Sequence, residues 1–178
     1  MYILYAVTPN PQGPIMKKLY ILISVSGGGK STYALKLLKD NPTLAVCSAD
    51  HFFVDSNGVY KFDAQKLGQA HQKCQGDAGI AMAKGLPVVV DNTNLKWGDI
   101  SPYIRIASVH GYEISFILFD AQEADLPMLA ERNRHGVPEA AIKRQYNNLV
   151  SLRKSLKRDM GTAFPGIKFT LTKERICQ

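Results

Sequence analysis

Three consecutive glycines followed by a lysine and two hydroxyl residues form the segment of this chain best suited to chemistry. They lie in the nonapeptide Ser24–Thr32, which reads SVSGGGKST. Gly27–Gly29 allow the backbone to curl so that successive N–H groups point at one anion. Lys30 can reach the β- and γ-phosphates of a nucleotide, and the Ser31 hydroxyl can ligate Mg²⁺. We therefore predict a phosphate-binding P-loop.

The segments on either side of this loop match the context that a P-loop requires. The apolar run Leu19–Ile23 predicts a strand before the loop, and Thr32–Lys39 predicts a helix after it, with its positive end facing the phosphates. One departure is Ser24, because the pattern G-x-x-x-x-G-K-[ST] has glycine at that position. The predicted nucleotide-binding residues of the loop are Ser26, Gly27, Gly28, Gly29, Lys30, Ser31 and Thr32.

Two carboxylates follow segments that are expected to be neighbouring strands. Asp91 closes the apolar run Val88–Val90, and a carboxylate there commonly assists Mg²⁺, so we predict that it shares the metal with Ser31. Asp50 follows the strand-like segment Leu44–Ser48 and could accept the proton of an attacking hydroxyl as a general base. Ligands bind beyond the carboxyl ends of parallel strands, so these groups should meet at one edge. The alternative for either carboxylate is a turn or helix cap.

Two further features bear on the reaction. Asn92 follows Asp91 at the position where ATPases commonly place a glutamate to orient water, which favours transfer to a bound hydroxyl over hydrolysis. Arg132 and Arg134 lie between two predicted helices, just before Gly136, where a mobile arginine could close over the γ-phosphate. The alternative for these arginines is an exposed helix end.

The arrangement of elements needed to bring these residues together is an alternation of strands and helices. Residues 19–25, 44–48, 87–90, 112–119 and 167–171 are predicted strands, and 30–39, 63–84, 97–109, 123–134 and 138–159 are predicted helices. Such alternation indicates an α/β fold, a parallel sheet with helices on both faces. Residues 1–15 contain three prolines and are predicted to be an extension before a single domain spanning 16–178.

Charge is distributed unevenly along the chain, whose net charge is +7. Residues 132–175 contain 11 Lys and Arg against 3 Asp and Glu, a net charge of +8, so the remainder carries −1. A cluster of this kind favours a polyanionic partner such as nucleic acid, because phosphate neutralisation requires clustered cations. The alternative is a solvated basic surface.

Apolar and cysteine patterns indicate the compartment. No apolar run approaches the roughly 18 residues needed to span a bilayer, so no membrane association is expected. The three cysteines, Cys47, Cys74 and Cys177, are odd in number and lack the spacing of a metal site. We therefore expect reduced thiols and a cytoplasmic location.

Five segments, in this order, resemble the P-loop polynucleotide kinase-like family across most of residues 17–155. They are SGGGKST in the loop, SADHFF at 48–53, FDAQKLGQAH at 62–71, VDNTNL at 90–95 and ERNRHGV at 131–137. The resemblance implies a P-loop kinase fold with a parallel five-stranded sheet and a short lid. It also implies ATP and Mg²⁺ as cofactors and a hydroxyl of nucleic acid, DNA in preference, as acceptor.

The resemblance assigns roles residue by residue. Lys30 and Ser31 would hold the phosphates and magnesium, Asp50 would be the general base, and Asp91 and Asn94 would organise the site. Arg132 and Arg134 would be lid arginines. One departure concerns Phe53, which stands where phage polynucleotide kinases carry an arginine that receives the acceptor. Phe52 and Phe53 could instead stack on a base or pack under the sheet.

The leading prediction is an ATP-dependent kinase for a nucleic acid, most simply for a 5′-hydroxyl end. Three alternatives remain open. The acceptor could be a hydroxymethyl group on a modified pyrimidine within DNA, or a small nucleoside or sugar. The third is a nucleotide switch, an ATP-binding protein that controls a protein partner. Retention of Asp50 together with paired lid arginines argues against the switch, which needs no acceptor base.

Overall fold

The computed structural model describes residues 16–133 and 135–176. Its strands form one parallel sheet in the order β2-β3-β1-β4-β5. The strands are β1 (Lys18–Ile23), β2 (Ala45–Cys47), β3 (Val88–Val90), β4 (Glu113–Asp120) and β5 (Phe169–Arg175). The α-helices are α1 (Lys30–Asp40), α2 (Leu67–Ala83), α3 (Trp97–His110), α4 (Leu126–Arg132) and α5 (Glu139–Ala163).

The centre of the sheet is apolar because it is covered on both faces. All three residues of β3 are fully buried, and so are Leu19, Ile21, Leu22 and Ile23 of β1. β1 pairs with β3 through Leu19↔Val88 and Ile21↔Val90. A parallel strand with no solvated face has no place for polar side chains, which is why the sequence shows continuous apolar runs there rather than alternation. The predicted α/β fold with a parallel five-stranded sheet is confirmed.

Strand order brings the candidate site residues together. β1 leads into the P-loop, its neighbour β3 leads into Asp91, and β2 on the far side of β3 leads towards Asp50. All three strands are parallel, so their carboxyl ends share one edge of the sheet. The edge expected from the sequence therefore exists, and it collects residues that are far apart in the chain.

Several predicted boundaries differ from the structure. The predicted helix at 63–84 begins as a 3₁₀ turn, Ala64–Lys66, which Asp63 caps by accepting a hydrogen bond from the Gln65 N–H, and only then continues as α2. The helix predicted at 123–134 is likewise split into a short 3₁₀ turn and α4. β5 runs to Arg175, beyond the predicted 171, because β4 supplies a parallel pairing partner as far as Asp120↔Arg175. Such partners are set by tertiary structure and not by local pattern.

Some expectations concern residues outside the described ranges. The predicted extension at 1–15 and the lid residue Arg134 both belong to this group. The single domain at 16–178 and the cytoplasmic location stay predictions. Cys47 and Cys74 are free, buried thiols. Among the helices of 16–133 and 135–176, none combines the length and apolar character needed to cross a membrane.

Candidate active site

The P-loop adopts a backbone that depends on its glycines. Gly27 and Gly29 have φ values of 79° and 93°, and α1 begins immediately after Gly29. A Cβ added at Gly27 would lie 2.3 Å from the carbonyl oxygen of Leu129 in α4. The loop therefore packs closely against the helix that leads into the predicted lid, in addition to requiring left-handed geometry.

Ser24, the departure from the P-loop pattern, is accommodated by a neighbouring glycine. Ser24 is fully buried, and its N–H donates to the carbonyl oxygen of Thr93, 3.1 Å away. A Cβ added at Gly28 would lie 2.0 Å from Ser24 Oγ. The Ser24 hydroxyl thus occupies space beneath Gly28 that any larger residue at 28 would need. This P-loop accommodates serine at the first position of the pattern because Gly28, at the fifth position, has no side chain.

Lys30 lies between the loop and two carboxylates. Its Nζ donates a hydrogen bond of 3.0 Å to the carbonyl oxygen of Val25. Burial lowers the pKa of Lys30, and the carboxylates of Asp91 and Asp50 oppose this effect. The charges of Asp50 and Asp91 therefore both act on Lys30, and the two carboxylates follow neighbouring parallel strands at one edge of the sheet.

Asp91 has the surroundings of a magnesium ligand. Its side chain is nearly buried, at 8 % exposure, and Oδ1 has no hydrogen-bond partner within the described residues. Burial raises the pKa of Asp91, while a hydrogen bond from the Ser31 hydroxyl and the charge of Lys30 lower it. An unpaired buried carboxylate oxygen beside a hydroxyl suits a hard cation that completes its shell with waters and phosphate oxygens. Ser31 and Asp91 therefore fit Mg²⁺.

Both oxygens of the Asp50 carboxylate have neighbours. Oδ1 accepts a hydrogen bond from Tyr60 Oη at 3.0 Å, and Oδ2 lies 3.7 Å from His135 Nε2. The Asp50 side chain remains 48 % exposed, so an acceptor can reach it. Burial, followed by the charge and hydrogen bond of Asp50, raises the pKa of Tyr60 to about 12. The Tyr60 phenol therefore keeps its proton and acts as a donor.

Asn92 connects the two carboxylate segments instead of facing the phosphates. Its Oδ1 accepts a hydrogen bond from the Ala49 N–H at 2.8 Å. Its Nδ2 donates to Tyr103 Oη at 3.2 Å and lies 3.4 Å from Cys74 Sγ. These bonds connect Ala49, the residue before Asp50, to the end of β3. The preference for transfer over hydrolysis stays a prediction.

Asn94 is a buried residue that bonds to the backbone of two segments leading into the site. It is 1 % exposed, has a φ of 50°, and its Nδ2 donates to the carbonyl oxygens of Leu22 at 2.7 Å and Asn92 at 3.1 Å. These bonds hold the ends of β1 and of the β3 loop in register. The role in organising the nucleotide site that the family resemblance implies for Asn94 stays a prediction.

The predicted lid lies between α4 and α5. Asn133 shapes it, because its Nδ2 donates to Val137 O and its Oδ1 accepts from the His135 N–H, both at 3.0 Å. Arg132 ends α4 and is exposed, with Nη1 lying 4.0 Å from Met128 Sδ. Among the lid residues that the structure describes, His135 approaches Asp50, and the sequence assigned it no role.

Phe53 is a core residue. It is 5 % exposed, and its ring centroid lies 5.1 Å from that of Phe62 and 5.4 Å from that of Phe52. Of the two alternatives for Phe53, stacking on a base or packing in the protein, the structure shows packing. The residue that stands where an arginine was expected therefore contributes no surface to the site.

The cationic segment is partly neutralised by nearby acids. Lys143 pairs with Glu123, Arg153 with Asp120, and Arg158 with Asp159. Arg144, Lys154 and Lys157 are exposed on α5. The positive surface of α5 is accordingly smaller than the count of basic residues suggests, and it is concentrated on this exposed set.

Three residues with contacts in the site were not identified from the sequence: Tyr60, His135 and Gln145. A signal for Tyr60 was present, because Asn57-Gly58 is a hairpin pair that reverses the chain and brings Tyr60 antiparallel to Val54. Gln145 accepts a hydrogen bond from the P-loop N–H of Ser26 at 2.7 Å. No local pattern marks Gln145, since 119 positions separate it from Ser26.

Comparisons with known proteins agree with this architecture. Human NEDD4-binding protein 2 is 35 % identical over 161 residues, covering 83 % of this chain and 9 % of that protein. A protein of Autographa californica nuclear polyhedrosis virus that is described as a bifunctional polynucleotide kinase/RNA ligase is 26 % identical over 160 residues. The match covers 82 % of this chain and 23 % of that protein. The chain thus spans less than a quarter of either relative.

Solved structures show the same fold at low identity. A chain of the Pnkp1/Rnl/Hen1 RNA repair complex matches with a TM-score of 0.65 and 19 % identity, over 82 % of this chain and 48 % of that one. A gluconokinase from Sinorhizobium meliloti 1021 matches with a TM-score of 0.57 and 16 % identity, over 93 % and 86 %. A family model described as an AAA domain covers residues 19–152. The chain therefore belongs to this AAA domain family and has a P-loop kinase fold.

Proposed function

We propose that this protein is an ATP-dependent kinase that transfers the γ-phosphoryl group to a hydroxyl of a nucleic acid, most simply a 5′-hydroxyl end. The observation that carries the proposal is the position of Asp50. Its carboxylate is accessible, held by Tyr60, and close enough to the P-loop to influence the pKa of Lys30. An accessible carboxylate beside a phosphate site is the arrangement that a general base for an acceptor hydroxyl requires.

Each residue has a distinct part in this proposal. The N–H groups of the P-loop and Lys30 bind the phosphates, and Asp50 accepts the proton of the hydroxyl that attacks the γ-phosphorus. Ser31 and Asp91 would hold Mg²⁺, which would neutralise phosphate charge when bound. Arg132 and Arg134 close over the transferred group as lid arginines. Positioning and charge stabilisation supply most of the rate in such a transfer.

Two observations support a polynucleotide acceptor. The segment 132–175 carries a net charge of +8, and Arg144, Lys154 and Lys157 are exposed on α5. One relative is described as a polynucleotide kinase/RNA ligase, although a gluconokinase shares the fold. A small sugar acceptor gives the cationic segment no evident use. DNA remains the preferred acceptor of the proposal and the cytoplasm its location.

The test is transfer of label from γ-labelled ATP with Mg²⁺ to three nucleic-acid acceptors and, in parallel, to gluconate and nucleosides. The nucleic acids are 5′-hydroxyl DNA, 5′-hydroxyl RNA, and end-blocked duplex DNA containing hydroxymethylpyrimidine. Label on an unmodified 5′ end supports the proposal. Label only on the blocked duplex makes the protein a kinase for modified bases. Label on gluconate or nucleosides alone makes it a small-molecule kinase.

Two matched variants distinguish loss of the general base from a general loss of structure. Asp50→Asn should reduce transfer by about a hundredfold or more while ATP affinity is preserved, because only the general base is lost. Asp77→Asn is the control, since it makes the same change in an exposed ion pair with Lys73 on α2. ATP turnover that needs no acceptor and survives Asp50→Asn would identify a nucleotide switch instead.

A further inference from the structure

His135 belongs to the segment 133–138, which joins α4 to α5. The side chain of Asn133 spans this segment. Its Oδ1 accepts a hydrogen bond from the His135 N–H, and its Nδ2 donates to the carbonyl oxygen of Val137, both at 3.0 Å. The backbone at His135 is therefore shaped by bonds of Asn133 and not by the imidazole of His135, which leaves the imidazole available for other contacts.

The imidazole of His135 faces the Asp50 carboxylate. Its Nε2 lies 3.7 Å from Asp50 Oδ2, and its ring lies against the ring of Tyr60, with 4.6 Å between centroids and 46° between planes. Tyr60 Oη donates a hydrogen bond to the other oxygen of the same carboxylate, Oδ1. The imidazole and the carboxylate are thus both positioned by one aromatic side chain.

The spacing between Nε2 and Oδ2 fits one bridging oxygen atom. A separation of 3.7 Å is too long for a direct hydrogen bond, whereas an oxygen about 2.8 Å from each atom bonds to both. The side chains of His135 and Asp50 are 42 % and 48 % exposed, so a ligand can reach the space between them. A hydroxyl suits both neighbours, because it donates its proton to the carboxylate and accepts from an imidazole N–H.

We propose that His135 is an acceptor-binding residue, whose Nε2–H and Asp50 Oδ2 hold the acceptor hydroxyl between them. The hydroxyl oxygen accepts the Nε2–H with one lone pair and attacks the γ-phosphorus with the other. Its proton passes to Asp50, and the bond from the γ-phosphorus to the ADP oxygen breaks with its electron pair going to ADP. His135 takes no proton in this step. This inference rests on Asp50 being the base of the proposed function.

The test measures initial rates of label transfer from γ-labelled ATP, at saturating ATP and Mg²⁺, over a range of concentrations of 5′-hydroxyl DNA. His135→Phe keeps an aromatic ring for Tyr60 but has no ring nitrogen. We expect the KM for the acceptor to rise about tenfold, while kcat and the Kd for ATP change less than about twofold, because the bond is present before and during transfer. His135→Gln supplies an amide N–H in place of Nε2–H and should keep most of the affinity.

His110→Phe is the matched control. It makes the same substitution at the last residue of α3, which precedes β4 and so lies at the edge of the sheet opposite the site. We expect it to leave both kinetic constants unaltered. An unchanged Kd for ATP in His135→Phe also serves as a check that the P-loop and the lid keep their structure.

An unchanged or lower KM for the acceptor in His135→Phe would overturn the inference, and a lower KM would show that His135 obstructs Asp50. A fall in kcat alone, or equal losses of ATP and acceptor affinity, would also overturn it, because His135 would then orient Asp50 or shape the lid. The same holds if His135→Gln is as impaired as His135→Phe.

The unsubstituted protein tests the proposed function separately. If it labels gluconate or nucleosides and no nucleic acid, the nucleic-acid assignment fails. The same KM comparison, made with the acceptor that is labelled, then still decides the role of His135, because the inference concerns the hydroxyl and not the molecule that carries it. If no acceptor is labelled, both the proposed function and the inference are contradicted.

Discussion

Tyr60 Oη donates a hydrogen bond of 3.0 Å to Asp50 Oδ1, and the Tyr60 ring also lies against the lid residue His135, with 4.6 Å between ring centroids. One aromatic side chain thus contacts both the proposed base and the lid. The bond engages Oδ1 and leaves Oδ2 on the side of His135, 3.7 Å away. Tyr60 therefore restricts the orientation of the Asp50 carboxylate.

Tyr60→Phe removes this hydrogen bond and keeps the ring contacts. We expect kcat for phosphate transfer to fall about tenfold, because a misplaced base weakens only the chemical step, while the Kd for ATP stays unchanged. In an Asp50→Asn background the same substitution should have little further effect, since the two residues act together. Tyr112→Phe is the control. It removes a buried phenol bonded to Met82 and Leu86 and should leave kcat unaltered.

Ser24 and Gly28 should show coupled effects. Gly28→Ala places a Cβ 2.0 Å from Ser24 Oγ and should strongly weaken ATP binding as the loop is displaced. Ser24→Gly removes the obstructing atoms and should recover much of the affinity that Gly28→Ala loses. Calorimetric ATP titration of both single variants and the double variant gives the coupling. Simple additivity would show that the Ser24 hydroxyl does not set the constraint at Gly28.

Asn92→Leu tests the connection between the two carboxylate segments. The change leaves the buried Ala49 N–H without an acceptor, which should lower the free energy of unfolding by about 2 kcal/mol. It should also reduce kcat, because the segment bearing Asp50 loses its tie to β3. Tyr103→Phe is the matched control: it removes the far end of the same network. A comparable fall in kcat for Tyr103→Phe would place the effect in the core as a whole.

Stability should fall at alkaline pH, in part through Cys47. Burial raises the pKa of its thiol from 9.0 to about 12. Above pH 9 the unfolded chain loses this proton while the folded chain keeps it, so unfolding is favoured as pH rises. Between pH 8 and 10.5 the contribution is on the order of 2 kcal/mol. Urea denaturation of Cys47→Ala should show a smaller decrease over this range than the wild-type protein. Parallel decreases would contradict the assignment.

Much of the fold was accessible from the sequence because its signals are local. The apolar run Val88–Val90 predicted a buried strand. α3 ends at His110, one residue beyond the predicted end at 109, and Gly111, with a φ of 70°, follows as its C-cap. The ends of β5 and the split of the helix predicted at 123–134 were missed. Those boundaries depend on pairing with β4 and on the path into α4, which no short window of sequence contains.

The sequence by itself determined the phosphate chemistry, because the P-loop is contiguous and its N–H groups, Lys30 and Ser31 need only a strand before and a helix after to converge. Only the tertiary structure decided the partners of those groups. Tyr60 and His135 reach Asp50, and Gln145 reaches Ser26 across 119 positions, through the packing of separate elements. A backbone turn is encoded in adjacent residues, whereas a contact between distant side chains exists only after the sheet and helices have assembled.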